Sequence, residues 1–150
     1  MKALIQRVKT AHVQVNAQHI GAIDYGILAY IGLGHDDNLQ SAQRMIDKIL
    51  TYRIFENTTD PEKLGKLDKD VQQVAGGLLL IPQFTLMAKT HKGRRPDFGA
   101  AMAPDIAKVL FNEMVAYAQI QYPHVASGQF GADMQVSSIN DGPLNFLLEL

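Results

Sequence analysis

Two uninterrupted apolar runs constrain this chain more than any other feature: ILAYIGL, from Ile27 to Leu33, and GGLLLIPQFTL, from Gly76 to Leu86. Each has the length of a strand and neither alternates polar with apolar residues, so both read as buried strands, the first of them central. The second carries Pro82 in its middle, an unusual place for a residue without a backbone donor. Between the runs, Asp36 or Asp37 offers an N-cap, and Leu39, Ala42, Met45, Ile46, Ile49 and Leu50 recur at helical spacing up to about Tyr52. Pro104 suits a first helical position, and Ile106, Val109, Leu110, Met114 and Tyr117 behind it predict a second amphipathic helix from 104 to 120.

The rest of the chain supplies strands. Residues 2–8 and 12–17 alternate, with a break near Lys9-Thr10, and predict two antiparallel strands of an opening hairpin. Residues 56–70 are polar, contain Pro61 and Gly65, and read as an exposed excursion. DMQVSSI and LNFLLEL predict two closing strands entered through Asp141-Gly142-Pro143. The order strand-strand-strand-helix-strand-helix-strands defines an α/β fold with a mixed sheet and two main helices. Two helices cannot cover every face of so many strands, and a homodimer is the simplest source of further cover. At 150 residues and 47% hydrophobic content, residues 1–150 read as one domain. There is no internal repeat.

Several classes of chemistry are excluded. No apolar run approaches the roughly 20 residues of a membrane span, and the first residues do not resemble a signal peptide, so a soluble, cytoplasmic protein is expected. With no cysteine, thiolate and disulfide chemistry are absent. A formal charge of −1 argues against a general positive field for nucleic acid; DNA binding is not expected, and any RNA contact must be local. The basic cluster Lys89, Lys92, Arg94 and Arg95, with His91, is either a solvated loop or such a contact. His12, His19, His35, His91 and His124 lack chelating spacing, so no metal and no cofactor are expected. IGLGHDD lacks the third glycine of a dinucleotide loop and the lysine of a P-loop, and reads as a turn with an N-cap. No serine stands in a nucleophile-elbow pattern.

PQFTL (Pro82–Leu86) and NDGPLNF (Asn140–Phe146) are each unremarkable alone: a strand and a turn. Together they resemble the two signature motifs of the D-aminoacyl-tRNA deacylase family, Ser-Gln-Phe-Thr-Leu and Asn-x-Gly-Pro-Val-Thr-Phe. ALIQRV, GILAYIGLGHDD, YRIFEN, KGRRPDF and GQFGADMQVSSINDGP are similar to the family's other blocks, in its order, so the resemblance covers the whole chain. It implies a barrel-like sheet with two helices, a homodimer, and metal-free hydrolysis of the ester joining a D-amino acid to the 3′ end of tRNA. Glycine, with no side chain to be rejected, is expected to be cleaved as well, including when mischarged on tRNA(Ala). It further implies that Gln83, Phe84 and Thr85 form the catalytic segment, and that Gly142-Pro143 is a cis peptide reaching into the partner's active site. Arg7 then holds that loop, while Phe130 and Met134 pack either on the terminal adenine or simply in the core. Two departures stand out: Pro82 replaces the family's serine, and Leu144-Asn145 replaces Val-Thr. A catalytically silent module that binds tRNA ends is the alternative reading.

Rejecting L-aminoacyl esters by a factor of about 10⁴ takes about 5.5 kcal/mol, whereas side-chain pocket contacts typically discriminate by about 1–3 kcal/mol. A rigid carbonyl placed where an L side chain must project works for every side chain alike. An aminoacyl ester is already activated, so backbone N–H donors near Phe84 and Thr85, a water and the ribose 2′-OH can suffice. The competing route makes the Thr85 hydroxyl a nucleophile, with no adjacent base in view.

Overall fold

The computed structural model describes residues 1–91 and 93–150. Lys92 of the basic cluster lies outside the described residues. The elements in chain order are β1 (Lys2–Val15), β2 (Gln18–Ile23), β3 (Gly26–Gly32), α1 (Leu39–Leu50), β4 (Phe55–Glu56), β5 (Leu67–Lys69) and β6 (Gly77–Pro82). A 3-10 turn (Phe84–Met87), α2 (Pro104–Gln121), β7 (Val125–Ser127) and β8 (Gln135–Glu149) follow.

The central strand falls where the apolar run places it. β3 pairs antiparallel with β1 and parallel with β6, from Gly26↔Gly77 to Ile31↔Pro82, and β6 pairs parallel with β7. Parallel neighbours need crossover helices, which α1 and α2 supply. β8 pairs with the other edge of β1 along most of its length. At the far side β2 comes back against β7: a methyl group on Gly21 would lie 2.8 Å from the Ser127 carbonyl oxygen. The sheet is therefore nearly closed into a barrel.

The opening hairpin is not the one that alternation suggests. Residues 2–15 form one strand, and its partner is β2, joined through Asn16 and Ala17, both at positive φ (50° and 62°). Those two residues make the tight turn of a two-residue hairpin without the glycine that usually signals one. The break near Lys9-Thr10 is an irregularity in the ladder with β8, between Val8 and Thr10. Its effect is on facing. Ala3 and Ile5 point to the cluster beneath the helices, whereas Val8, Ala11 and Val13 share the cluster inside the barrel with Leu28, Leu79 and Ile81. An even and two odd positions face the same way because the irregular pairing shifts the period-two alternation by one.

Three further boundaries differ from the sequence reading. Asn38, not Asp36 or Asp37, caps α1, exchanging hydrogen bonds with Ser41 in a capping box. Asp37 instead accepts from the Gly34 amide at 2.6 Å and faces the amino group of Met1 at 2.9 Å. The 56–70 excursion is braced by the short β4–β5 pair. The two closing strands are one, β8, whose ladder breaks between Asn140 and Asn145. Among the described residues, no helix is long and apolar enough to cross a membrane.

β3 and β6 meet through bare backbone at their starts: a Cβ on Gly26 would lie 2.0 Å from the Gly77 oxygen and 2.6 Å from its nitrogen. Backbone cannot yield as a side chain can, so Gly26→Ala is expected to lose about 3 kcal/mol of unfolding free energy. Urea denaturation measures this, and an unchanged midpoint would contradict so close an approach.

Candidate active site

β6 ends at Pro82, so the proline lies at the strand's last position rather than its middle. The Gln83 amide donates to the Ile31 carbonyl at 2.7 Å, extending the contact with β3 by one bond, and the chain then turns through Phe84–Met87. Thr85 therefore sits on a turn and not on a strand. The turn packs flat on the end of β3, where a Cβ on Gly32 would meet the Leu86 Cβ at 2.9 Å. Within it, the Leu86 amide donates to Gln83 and the Ala88 amide to Thr85. Among the described residues the amides of Phe84 and Thr85 have no acceptor. The Gln83 carboxamide donates to the Thr85 hydroxyl at 2.7 Å.

Beside this turn, at the C-terminal ends of β3 and β6 and against the start of α2, opens a cavity of about 460 Å³. Leu33, Phe84, Phe98, Phe111 and Phe130 contribute to an apolar wall, and Gln83 adds a polar side chain. The carboxyl ends of parallel strands are where α/β sheets ordinarily bind ligands. Phe111 and Phe130 stack tilted at 6.3 Å inside, and Phe84 meets Phe98 edge to face at 5.0 Å. Of the two residues suggested for a base contact, Phe130 lines this cavity. Met134 does not: it packs against the barrel cluster, its sulfur 2.7 Å from where a Gly128 Cβ would stand.

The second segment is built around Arg7. Pairing of β8 with β1 passes from Asn140↔Val8 to Asn145↔Gln6, so Asp141–Leu144 bulge out opposite Arg7. Arg7 follows Ala3 and Ile5 in the period-two alternation of β1, ahead of the shift, and so points inward, where it is 5% exposed. Its Nη1 donates to the Ile54 carbonyl at 3.0 Å and its Nη2 lies 3.8 Å from Glu56. Its Nε is 3.0 Å from Asp141 Oδ2, an ion pair in which the N–H is not aligned for a hydrogen bond. Gly142 has φ of +118°, a conformation that disfavours any side chain, and Gly142-Pro143 is cis. The Asn145 carboxamide oxygen accepts from both Gln6 (2.7 Å) and Asn140 (2.6 Å), tying the two ends of the bulge together. Behind the loop, Tyr25 shares a polar cleft with Arg7, Glu56 and Asp141. Burial, reinforced by the two carboxylates and opposed by Arg7, raises its pKa.

The two segments do not meet within the chain. Arg7 pairs with Ile27 and Pro82 with Ile31, so four residues of β3, ~13 Å at a strand's rise, separate their levels. Between them lies the sheet face carrying Leu4, Gln6, Tyr30, Asn145 and Leu147, with Leu147 53% exposed. The structure adds Phe98, Tyr25, Glu56 and Asp141 to the site regions. None of the four stands out from spacing alone, although Phe98 ends the KGRRPDF block. His12 and His19 lie in adjacent strands with ring centroids 4.8 Å apart, a proximity that spacing along one strand cannot reveal. Among the described residues, no group of three or more His, Asp or Glu is placed to hold a metal ion.

Fold and site together define a nearly closed, mixed α/β barrel with two helices and an apolar cavity rimmed by a Gln-Phe-Thr turn. The family model for D-Tyr-tRNA(Tyr) deacylase matches residues 4–149, and the chain belongs to this family. The D-aminoacyl-tRNA deacylase of Psychrobacter arcticus is 74% identical over 150 residues, covering 100% of this chain and 99% of that one. Among solved structures, the c-Myc DNA Unwinding Element Binding Protein superposes with a TM-score of 0.91 at 37% identity, covering 100% of this chain and 99% of that one. A probable eukaryotic D-amino acid tRNA deacylase gives 0.85 at 18% identity, covering 99% and 98%, and shares the fold.

Asp141 and Glu56 hold Arg7 unequally. Asp141 is mostly buried and close; Glu56 is half-exposed at 3.8 Å and screened by solvent. Asp141→Asn is expected to cost about 2 kcal/mol and Glu56→Gln less than about 0.5 kcal/mol in urea denaturation. Equal losses would show that the loop does not depend on the shorter ion pair.

Proposed function

We propose that this chain hydrolyses the ester joining a D-amino acid to the 3′ end of tRNA, releasing the free D-amino acid and tRNA. The observation that carries the proposal is the pair of amides, Phe84 and Thr85, that have no acceptor among the described residues, on the turn beside an apolar cavity that Phe84 lines. Two donors left unpaired beside a cavity fit an oxygen that gains negative charge during ester hydrolysis. The cavity, walled by Phe84, Phe111 and Phe130, suits the terminal adenine, a flat base with a π-face. The segment bearing Lys89, Arg94 and Arg95 suits the phosphates behind it. An aminoacyl-tRNA substrate also places the work in the cytoplasm.

A water is the nucleophile in this proposal, with the ribose 2′-OH assisting. Thr85 is poorly placed for that role because its hydroxyl receives a hydrogen bond from Gln83, a group that cannot take its proton. Pro82 removes a hydroxyl that the family carries, yet the bonds of the 83–88 turn are made by residues after it. Activity is expected to survive that substitution, which disfavours the silent binding module.

Chiral selection is assigned to Gly142-Pro143 of a second chain. A two-fold axis through the uncovered Leu4, Tyr30 and Leu147 face sets the Asp141–Leu144 loop of each copy against the other copy's turn, because loop and turn lie at opposite ends of that face. The same contact covers the exposed apolar side chains. The loop's carbonyl then occupies the space of an L side chain. Glycyl-tRNA, with no side chain to reject, is cleaved as well.

Purified protein with chelator present is expected to clear D-tyrosyl-tRNA while leaving L-tyrosyl-tRNA intact; loss of neither ester would favour the binding module. Thr85→Ala is expected to lower kcat by about tenfold or less, the scale of one neutral hydrogen bond. Total loss of turnover with binding retained would instead make the hydroxyl the nucleophile.

A further inference from the structure

The cavity and the basic segment leave one side chain without a task. Phe98 is 37% exposed and its edge-to-face partner Phe84 57% exposed, so the pair presents apolar surface to solvent at the cavity mouth. Exposed rings on a pliable loop would mean little, but this segment is pinned. The Lys89 amide donates to the Asp97 carbonyl at 2.8 Å, and the Asp97 carboxylate accepts from the Gly99 amide at 2.8 Å. A His35 ring nitrogen bonds the Gly99 carbonyl, Ala101 bridges to Gly34, and the Met102 amide donates to Leu33. Phe98 is thus held rigidly over the mouth by contacts on both sides of it.

We infer that Phe98 is the stacking platform for the penultimate nucleotide of the RNA 3′ end. The inference rests on the proposed function and assigns a subsite beyond it. With the ester at the Phe84 and Thr85 amides and the terminal adenosine inside, the preceding nucleotide must leave through the mouth. Phe84, the other exposed ring there, belongs to the turn that holds the ester, so the base meets Phe98. Charge supports the same path. Arg94 and Arg95 precede Phe98 by four and three residues, beyond the Lys89–Asp97 pairing that closes the segment, and both are exposed. A phosphate linking the last two nucleotides therefore passes a cationic edge while the base lies on an aromatic one, the combination by which proteins hold single strands.

The alternative is that Phe98 only caps the cavity and steadies Phe84. A cap affects every substrate that enters the cavity alike, whereas a platform acts on substrates that possess a second base. The test compares D-tyrosyl esters of adenosine and of cytidylyl-(3′→5′)-adenosine as substrates of the whole protein. In the unaltered protein the dinucleotide ester is expected to show a KM roughly tenfold lower than the adenosine ester. Phe98→Leu is expected to shrink that ratio to about twofold, the remainder coming from the phosphate, and Phe98→Tyr to restore it. A tenfold ratio that persists in Phe98→Leu overturns the inference, as does a ratio of one in the unaltered protein. Hydrolysis of neither ester by the unaltered protein, while D-tyrosyl-tRNA is cleaved, also overturns it, because the subsite would then lie further along the RNA. Failure on all three substrates brings down the deacylase reading itself. Circular dichroism of Phe98→Leu shows whether a fall in the ratio arises in a folded protein.

Discussion

Ile27, Leu28, Ala29 and Ile31 of β3, and Leu78 to Ile81 of β6, are buried on both sheet faces. Their backbone donors and acceptors have no water to turn to, so each strand must be paired along both edges. That requirement fixes β1, β3, β6 and β7 side by side, and a parallel β3–β6 pair obliges the chain to cross over through α1 before it can return. It also brings the carboxyl ends of both strands to one level. The turn after Pro82 and the cavity beside it are consequences of this ladder. The close contact of Gly26 with Gly77 sets its register at the opposite end.

A single irregularity in β1 has an effect of comparable reach. By shifting the alternation between Val8 and Thr10, it lets one strand serve the helical core with Ala3 and Ile5 and the barrel interior with Ala11 and Val13. Arg7 stands just before the shift, on the helical side, opposite the residues that bulge out of β8. An arginine buried there needs partners, and Asp141, Glu56 and the Ile54 carbonyl provide them. The bulge is thereby tied to a strand that belongs to both halves of the core.

The long signals in the sequence are legible and the short ones are not. The two apolar runs locate β3 and β6, and helical spacing locates α1 and α2 to within a few residues, since many residues contribute to each pattern. β7 has three residues, too few to show a period. The first hairpin escapes notice because Asn16-Ala17 adopts left-handed backbone without a glycine. β8 divides into two apparent strands because Asp141-Gly142-Pro143 looks like a chain reversal, although the strand resumes beyond it. For the site, resemblance picks out Gln83, Phe84, Thr85, Gly142 and Pro143, and the structure places them in two separate regions. Met134 has two readings from the sequence, a contact with the terminal adenine or core packing, and its neighbours are the barrel residues of the second. Phe98 and Asp141 act through partners distant in sequence, which no local pattern encodes.

In the proposed dimer, selection against L esters depends on how stiffly the loop is held. A barrier made by steric overlap is only as high as the cost of moving the obstacle, and discrimination of about 10⁴ asks that this cost exceed about 5.5 kcal/mol. A carbonyl on a free loop would swing aside for far less. Here Asn140 and Asn145 clamp the ends of the bulge and Gln6 fastens the clamp to β1, while Asp141 is drawn to a buried guanidinium. Yielding would require breaking several of these contacts at once and leaving Arg7 less well paired in the interior. The replacement of the family's threonine by Asn145 fits the same logic, because its carboxamide oxygen accepts two of those bonds. The bare backbone at Gly142 keeps the obstacle thin enough to enter a cleft, and the polar clamp around it keeps the obstacle in place.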